Sequence, residues 1–315
     1  MTDPTTSAPS VTPVISASAV QKSWGDNIVF SDLTADVLKG VTGLLGSNGS
    51  GKTTFLGMLL GLHRPNAGSI SVLGADPAHA GPELRELIGY SPEHHDLPAD
   101  VAAQDLVRHV AQIHGLPRRE ATTRSSDALW LVGLGEERAR PIGTMSTGQK
   151  QRVKLAQAIA HSPALILLDE PTDGLDPVQR DDMLELIRRI GAEFDIDVLL
   201  SSHLLEEVER IADNVVILSN GTVRASGRID DLRTGKGGVV AYVDAQAEEV
   251  ATTLRTRGLA VELERGRLLV GTDESVELLL DEVRDAVAEH NAPLRKMSAV
   301  QQSLEDLFLA EVYGE

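Results

Sequence analysis

The sequence contains no cysteine, which excludes disulfides, thiolate nucleophiles and thiolate metal sites and agrees with a reducing compartment. Aromatic residues are scarce, at 3%, so any ring placed to stack on a planar ligand has few rivals. No run of about 18 apolar residues occurs and no basic-then-apolar leader opens the chain. Neither a membrane-spanning helix nor a secretory signal is therefore expected, and any membrane contact has to be peripheral. Positive charge is in deficit: Lys+Arg number 29 against Asp+Glu 47, a formal net charge of -18. An acidic surface of that size repels phosphate backbones unless a basic patch is segregated, and no such patch stands out, so nucleic acid is not an expected partner. Long heptad arms are also missing.

What is present is ordinary globular material, with 42% hydrophobic and 24% charged residues, in a chain of 315 residues that exceeds the usual single domain. Residues 1–13 are Thr, Ser, Pro and Ala without apolar period and read as a disordered tail. From Val14 onward, short apolar runs bounded by turn residues (Val41–Leu45, Leu56–Leu60, Leu165–Leu168, Val198–Leu200) alternate with helical patterns, which suits parallel strands covered on both faces. Between about 93 and 149 the strand signal gives way to helices, at Asp105–His114 and Ser125–Leu134. After about Gly235 the texture changes again. A strand at Val239–Val243, a helix at Glu248–Arg257, a hairpin over Val261–Val270 turning at Arg265-Gly266 and a helix at Ser275–Glu289 are predicted. A last amphipathic helix begins at Ser303 and aligns Leu304, Leu307, Phe308 and Val312. The expected plan is an α/β domain over 14–234 with a helical insert at about 93–149, then a small α+β domain over 235–315.

Gly46-Ser47-Asn48-Gly49-Ser50-Gly51-Lys52-Thr53 fits G-x-x-x-x-G-K-[ST], after an apolar strand and ahead of a helix that continues through Thr54. Glycines let successive N–H groups turn inward, and the helix N-terminus adds partial positive charge, so the segment is built to cradle the phosphates of a nucleotide. Lys52 supplies a point charge to the β- and γ-phosphate oxygens, and the Thr53 hydroxyl is placed to ligate Mg²⁺. Farther on, the strand Leu165–Leu168 runs into Asp169 and Glu170. Two acids at a strand's carboxyl end suit a metal-directed aspartate and a residue that orients water for in-line attack on the γ-phosphate.

With these residues the chain resembles the nucleotide-binding subunits of ABC transporters, a P-loop NTPase core with a helical subdomain. Met145-Ser146-Thr147-Gly148-Gln149 is similar to the LSGGQ signature, Gly174-Leu175-Asp176 to the D-loop, and His203 stands where the family keeps its switch histidine. Trp24 matches the aromatic that stacks on adenine, usually a tyrosine. The resemblance implies an ATP sandwich. Ser146, Thr147, Gly148 and Gln149 of one subunit would close on the cradle of a second copy or a homologous ATPase subunit, supplying donors that a single cradle lacks. It also implies a separate membrane permease, with Glu93 to Asp105 as the docking surface, and a place on the cytoplasmic face of the membrane.

Two positions depart from the family. Glu93 stands where the Q-loop glutamine is usual, and a carboxylate there is expected to approach the metal beside Thr53 and Asp169, with slow hydrolysis as the result. Thr147 replaces a glycine of the signature. His94, His95, His109 and His114 lie near one another in sequence but do not share a helix face or a ligand spacing, and read as solvated residues. The Tyr90–Glu93 segment, the Ser-Thr-Gly signature and the Ser303–Leu309 tail resemble bacterial exporter ATPases. The competing expectation is a regulatory module whose ATP-driven dimerisation gates a membrane partner without driving transport.

Overall fold

A computed structural model describes residues 12–94, 97–234, 237–264, 266–272 and 276–301. The helix expected at Ser303, His95 and most of the N-terminal tail lie outside these residues. The chain divides into two compact units, 1–227 and 228–315, so the boundary expected after 234 falls earlier.

The first unit runs β1 (Ile15–Trp24), β2 (Asn27–Val37), β3 (Val41–Leu45), α1 (Lys52–Leu59), β4 (Ala67–Val72), α2 (Pro82–Glu86) and β5 (Ile88–Ser91). The helical insert follows as α3 (Ala103–Ile113), α4 (Arg118–Leu131) and two 3₁₀ turns, leading into α5 (Thr147–Ile159). The chain then returns to the sheet through β6 (Leu165–Asp169), α6 (Pro177–Phe194), β7 (Asp197–Ser202), α7 (Leu205–Ile211), β8 (Asn214–Ser219) and β9 (Thr222–Arg228). The sheet order is β4-β1-β2-β9-β8-β3-β7-β6-β5. Strands β5, β6, β7, β3 and β8 pair in parallel, while β1 pairs antiparallel with β2 and β4. The sheet is therefore mixed rather than parallel throughout, and its two parts meet at one register pair, Asp32 with Thr222.

Burial on both faces explains the continuous apolar strands. In β6, Leu165 and Leu167 belong to one hydrophobic cluster, while Ile166 and Leu168 belong to another. β7 divides the same way, Leu199 on one side and Val198 and Leu200 on the other, as alternate Cβ directions require. Leu56–Leu60 is a correction: it belongs to α1 and its C-terminal cap. Phe55, Leu56, Met58 and Leu59 are all buried, and a helix buried all round leaves no period to distinguish it from a core strand. Helices α3 and α4 bury Val107, Ala111, Ala121 and Leu129 in the same cluster as Val153 of α5, which seats the insert on the helix that carries the signature residues.

The second unit comprises α8 (Ile229–Thr234), β10 (Gly237–Val243), α9 (Ala247–Thr256), β11 (Ala260–Glu264), β12 (Arg267–Thr272), α10 (Val276–Glu289) and β13 (Leu294–Gln301). Its strands lie in the order β11-β12-β10-β13, all antiparallel, which with the intervening helices makes a split βαββαβ fold. Alternate residues Val239, Ala241 and Val243 of β10 point into a core closed by Val250 and Leu254 of α9 and Val283 of α10. The expected α+β texture is borne out, and β13 is a strand that the sequence pattern did not reveal.

Candidate active site

The cradle leaves the carboxyl end of β3. The Gly46 N–H donates to the carbonyl of Ser202 at 3.3 Å, and the Ser50 N–H to that of Ser47 at 3.1 Å. Gly51 has φ of +101°, and a Cβ there would come within 2.6 Å of the Phe30 ring, so both conformation and space demand glycine. No side chain caps α1, leaving its first N–H groups available to an anion. Lys52 is buried, with Nζ 2.7 Å from the Gly46 carbonyl and 3.4 Å from that of Ser47. The same ammonium lies 3.1 Å from Oε1 of Glu170, an ion pair without good hydrogen-bond geometry.

The acids at the end of β6 are organised by Ser201, which no sequence motif marks. The Ser201 hydroxyl donates to Oδ1 of Asp169 at 2.6 Å and accepts the Glu170 N–H at 2.9 Å. Glu170 adopts a left-handed φ of 46°, which costs a non-glycine residue about 1–2 kcal/mol and aims the side chain away from the strand's ordinary alternation. Its Oε2 then meets Nδ1 of His203 at 2.9 Å. Lys52, Glu170 and His203 are thus gathered as expected. Oδ2 of Asp169 is buried without a hydrogen-bond partner. An unsatisfied anionic oxygen beside a phosphate cradle suits a divalent cation, whose charge would offset the desolvation. Thr53, the second residue of α1, lies next to Lys52 in the same helical turn.

Glu93 does not join this group. Its Oε1 lies 3.4 Å from Nε2 of His94, and its carbonyl accepts from Lys154 Nζ at 2.7 Å. Lys154, on α5, also reaches the Pro92 carbonyl at 3.3 Å, so one buried ammonium ties the segment after β5 to the signature helix. Burial holds the Lys154 pKa below the usual lysine range, against the opposing pull of Asp173 and Glu93. Burial, followed by the nearby Asp169 and Glu93 charges, pushes the Tyr90 phenol up to about 12. Among the described residues, no three His, Asp or Glu side chains converge as a metal cluster. Trp24 is 48% exposed, with Lys22 Nζ 4.0 Å from the ring centroid and His63 packed edge-on at 4.9 Å; neither contact links the ring to the cradle.

The signature residues build a rigid helix start. Gln149 N–H donates to Ser146 Oγ at 3.2 Å while Ser146 N–H donates to Gln149 Oε1 at 3.1 Å, a reciprocal capping box. Asp176 caps α6 by accepting from Gln179 N–H at 2.9 Å, and a cavity of about 110 Å³ lies between these helix starts. Thr147 opens the helix, and a Cβ on Gly148 would meet Gln179 Oε1 at 2.9 Å. Residues 146–149 make no hydrogen bond or ion pair to the cradle of their own chain among the described residues.

A P-loop nucleotide hydrolase is the class this fold and site define. A family model described as ABC transporter matches residues 31–173. An uncharacterized ABC transporter ATP-binding protein of Bacillus subtilis (strain 168) is 30% identical over 301 residues, 94% of each chain. The Nod factor export ATP-binding protein I of Ralstonia nicotianae is 30% identical over 302 residues, covering 95% of this chain and 93% of its own. A solved structure of an ATP-binding subunit of an ABC transporter superposes with a TM-score of 0.62 at 27% identity, over 86% of this chain and 99% of that one. The chain belongs to the ABC transporter ATP-binding proteins, a family that binds and hydrolyses ATP and works with membrane permease components. Among the described residues, no helix is long and apolar enough to cross a membrane.

Proposed function

We propose that two copies of this chain, or one copy and a homologous subunit, close on Mg²⁺ and ATP and hydrolyse it to drive export through a separate permease at the inner face of the membrane. The observation that carries the reading is the convergence on Glu170: one carboxylate oxygen on His203 at 2.9 Å, the other beside Lys52 at 3.1 Å.

Phosphates would rest on the N–H groups of 46–54 and on Lys52, with the adenine against Trp24. Asp169 and Thr53 would hold Mg²⁺, which neutralises charge on the β- and γ-phosphates. Glu170, carrying its charge between Lys52 and His203, orients water toward the γ-phosphate. Ser146 and the Gly148 N–H suit the opposite face of the nucleotide in a partner, since they are preorganised at a helix N-terminus and unbonded to their own cradle. Likeness supports export: the Nod factor export protein aligns over 93% of its length, past the nucleotide core and into the second unit.

The test is Mg²⁺-dependent phosphate release by the purified chain, with size-exclusion chromatography of Glu170→Gln under saturating ATP. Hydrolysis by the unaltered chain and an ATP-dependent dimer of the variant are expected. A variant that stays monomeric contradicts the sandwich, and a chain that gates its permease while ATP turnover leaves substrate flux unchanged contradicts the transport role.

A further inference from the structure

A further buried carboxylate lies outside the groups assigned to ATP hydrolysis above. Glu207, on α7, is 3% exposed. Its Oε1 accepts from the Thr172 hydroxyl at 2.7 Å, and its Oε2 from the Ser202 hydroxyl at 2.7 Å. Arg180 Nε, on α6, stands 3.3 Å from Oε1 and supplies the opposing charge.

These partners are not scattered. Thr172 lies two residues after Glu170 in the loop leaving β6, and Ser202 immediately precedes His203 at the end of β7. Ser202 is also joined to the cradle, because its carbonyl accepts the Gly46 N–H at 3.3 Å. Arg180 sits in the first turns of α6, whose cap is Asp176 in the loop that leaves β6. One carboxylate therefore bonds the two segments that present Glu170 and His203, and among the described residues it makes no hydrogen bond or ion pair to either of those side chains.

We propose that Glu207 is a positioning residue for ATP hydrolysis, fixing the separation of Glu170 and His203 by clamping Thr172 and Ser202 with its two oxygens. A charged acceptor on two hydroxyl donors makes bonds roughly twice as strong as neutral ones, and burial makes any release of one arm costly. The pair Glu170–His203 is then held by a spacer that is also joined to the cradle, through the Gly46 N–H on the Ser202 carbonyl. The inference rests on the hydrolytic reading given above and adds to it a residue with no nucleotide contact.

Steady-state kinetics of the full chain with Mg²⁺ and ATP separate a positioning role from a merely structural one. In Glu207→Gln, which keeps the shape but loses the charge and one acceptor, kcat falls on the order of 10- to 100-fold, as expected for a small misplacement of a catalytic group. KM for ATP stays within about threefold, because the cradle's own phosphate contacts are intact, and the variant stays folded at the assay temperature. Thr172→Val and Ser202→Ala each remove one arm and lower kcat to a lesser degree, which decides the matter if Glu207→Gln does not fold. An unchanged kcat in Glu207→Gln, a KM that rises in step with the fall in kcat, or both single-arm variants turning over at the unaltered rate would overturn the assignment. An unaltered chain that leaves ATP intact would instead sink the hydrolytic reading beneath it.

Discussion

The two units of the chain are built on opposite principles. The first buries Lys52, Lys154, His161, Asp169, Glu170, Ser201, Ser202 and Glu207, and several of them, such as Lys154, Ser201 and Glu207, bond to segments more than 30 residues away in sequence. The second unit's core is apolar throughout, from Val239 and Leu254 to Val283, and no buried charged or polar side chain occurs among its described residues. Burying polar groups costs free energy unless each is paired, so the first unit carries a burden that a folding domain does not need. The contrast marks where buried polar groups gather, mainly at the cradle and at the ends of β6 and β7 in the first unit, while the described core of the second is closed by apolar packing.

Lys52→Ala is the sharpest way to probe that contrast. Removing the cradle's cation is expected to lower turnover by about 10²- to 10³-fold, measured as phosphate release, while the second unit melts as before. Leu254→Ala is its mirror image. Emptying a fully buried site in the apolar core costs about 2–5 kcal/mol of that unit's stability, read by calorimetry, and ATP turnover remains at the unaltered rate. A fall in turnover would mean that the second unit supports the catalytic fold rather than standing apart from it.

Acid sensitivity divides the units next. His161 stacks on His114 with ring centroids 3.8 Å apart and donates Nε2–H to the Ile88 carbonyl at 3.2 Å, and burial followed by the neighbouring His114 pushes its pKa down to about 4. The unfolded chain takes up this proton near pH 6.5 and the folded chain only near pH 4, so the stabilisation is whole above pH 6.5 and is lost as pH falls through that window. The loss approaches about 3 kcal/mol. Melting of the first unit between pH 7 and pH 4 follows this course, and His161→Gln flattens it. The smallest effect belongs to Lys154→Met, which frees the Pro92 and Glu93 carbonyls; a decrease in turnover of about threefold to tenfold is expected, since the bonds at stake tie the segment after β5 to α5 and touch no group assigned to the reaction.

Much of the site was legible because its chemistry is local. Phosphate binding needs glycine at Gly49 and Gly51, a lysine directly after and a hydroxyl next to it, and this spacing survives in the one-dimensional record. Asp169 and Glu170 were readable for a similar reason, at the end of a wholly apolar strand. What the sequence hid is tertiary. Ser201 reaches Asp169 across 32 residues, Glu207 reaches Thr172 across 35, and Lys154 reaches Glu93 across 61, and no periodicity marks such pairs. The orientation of Glu93 toward His94 was hidden too, since a family position predicts proximity to the metal but not which way a carboxylate turns. In the fold, β1 escaped notice because Ile15–Trp24 mixes serine, alanine and lysine with few β-branched residues, and Leu56–Leu60 misled because burial on every side removes the helical period.

Glu170 carries the proposed chemistry, and its replacement by glutamine removes the carboxylate while keeping the side chain's size. Binding of ATP and its hydrolysis should be measured side by side in Glu170→Gln and in the unaltered chain. The predicted result is ATP affinity preserved within a few-fold and turnover reduced by at least about 100-fold. Turnover equal to that of the unaltered chain would contradict the claim that the carboxylate between Lys52 and His203 directs the water.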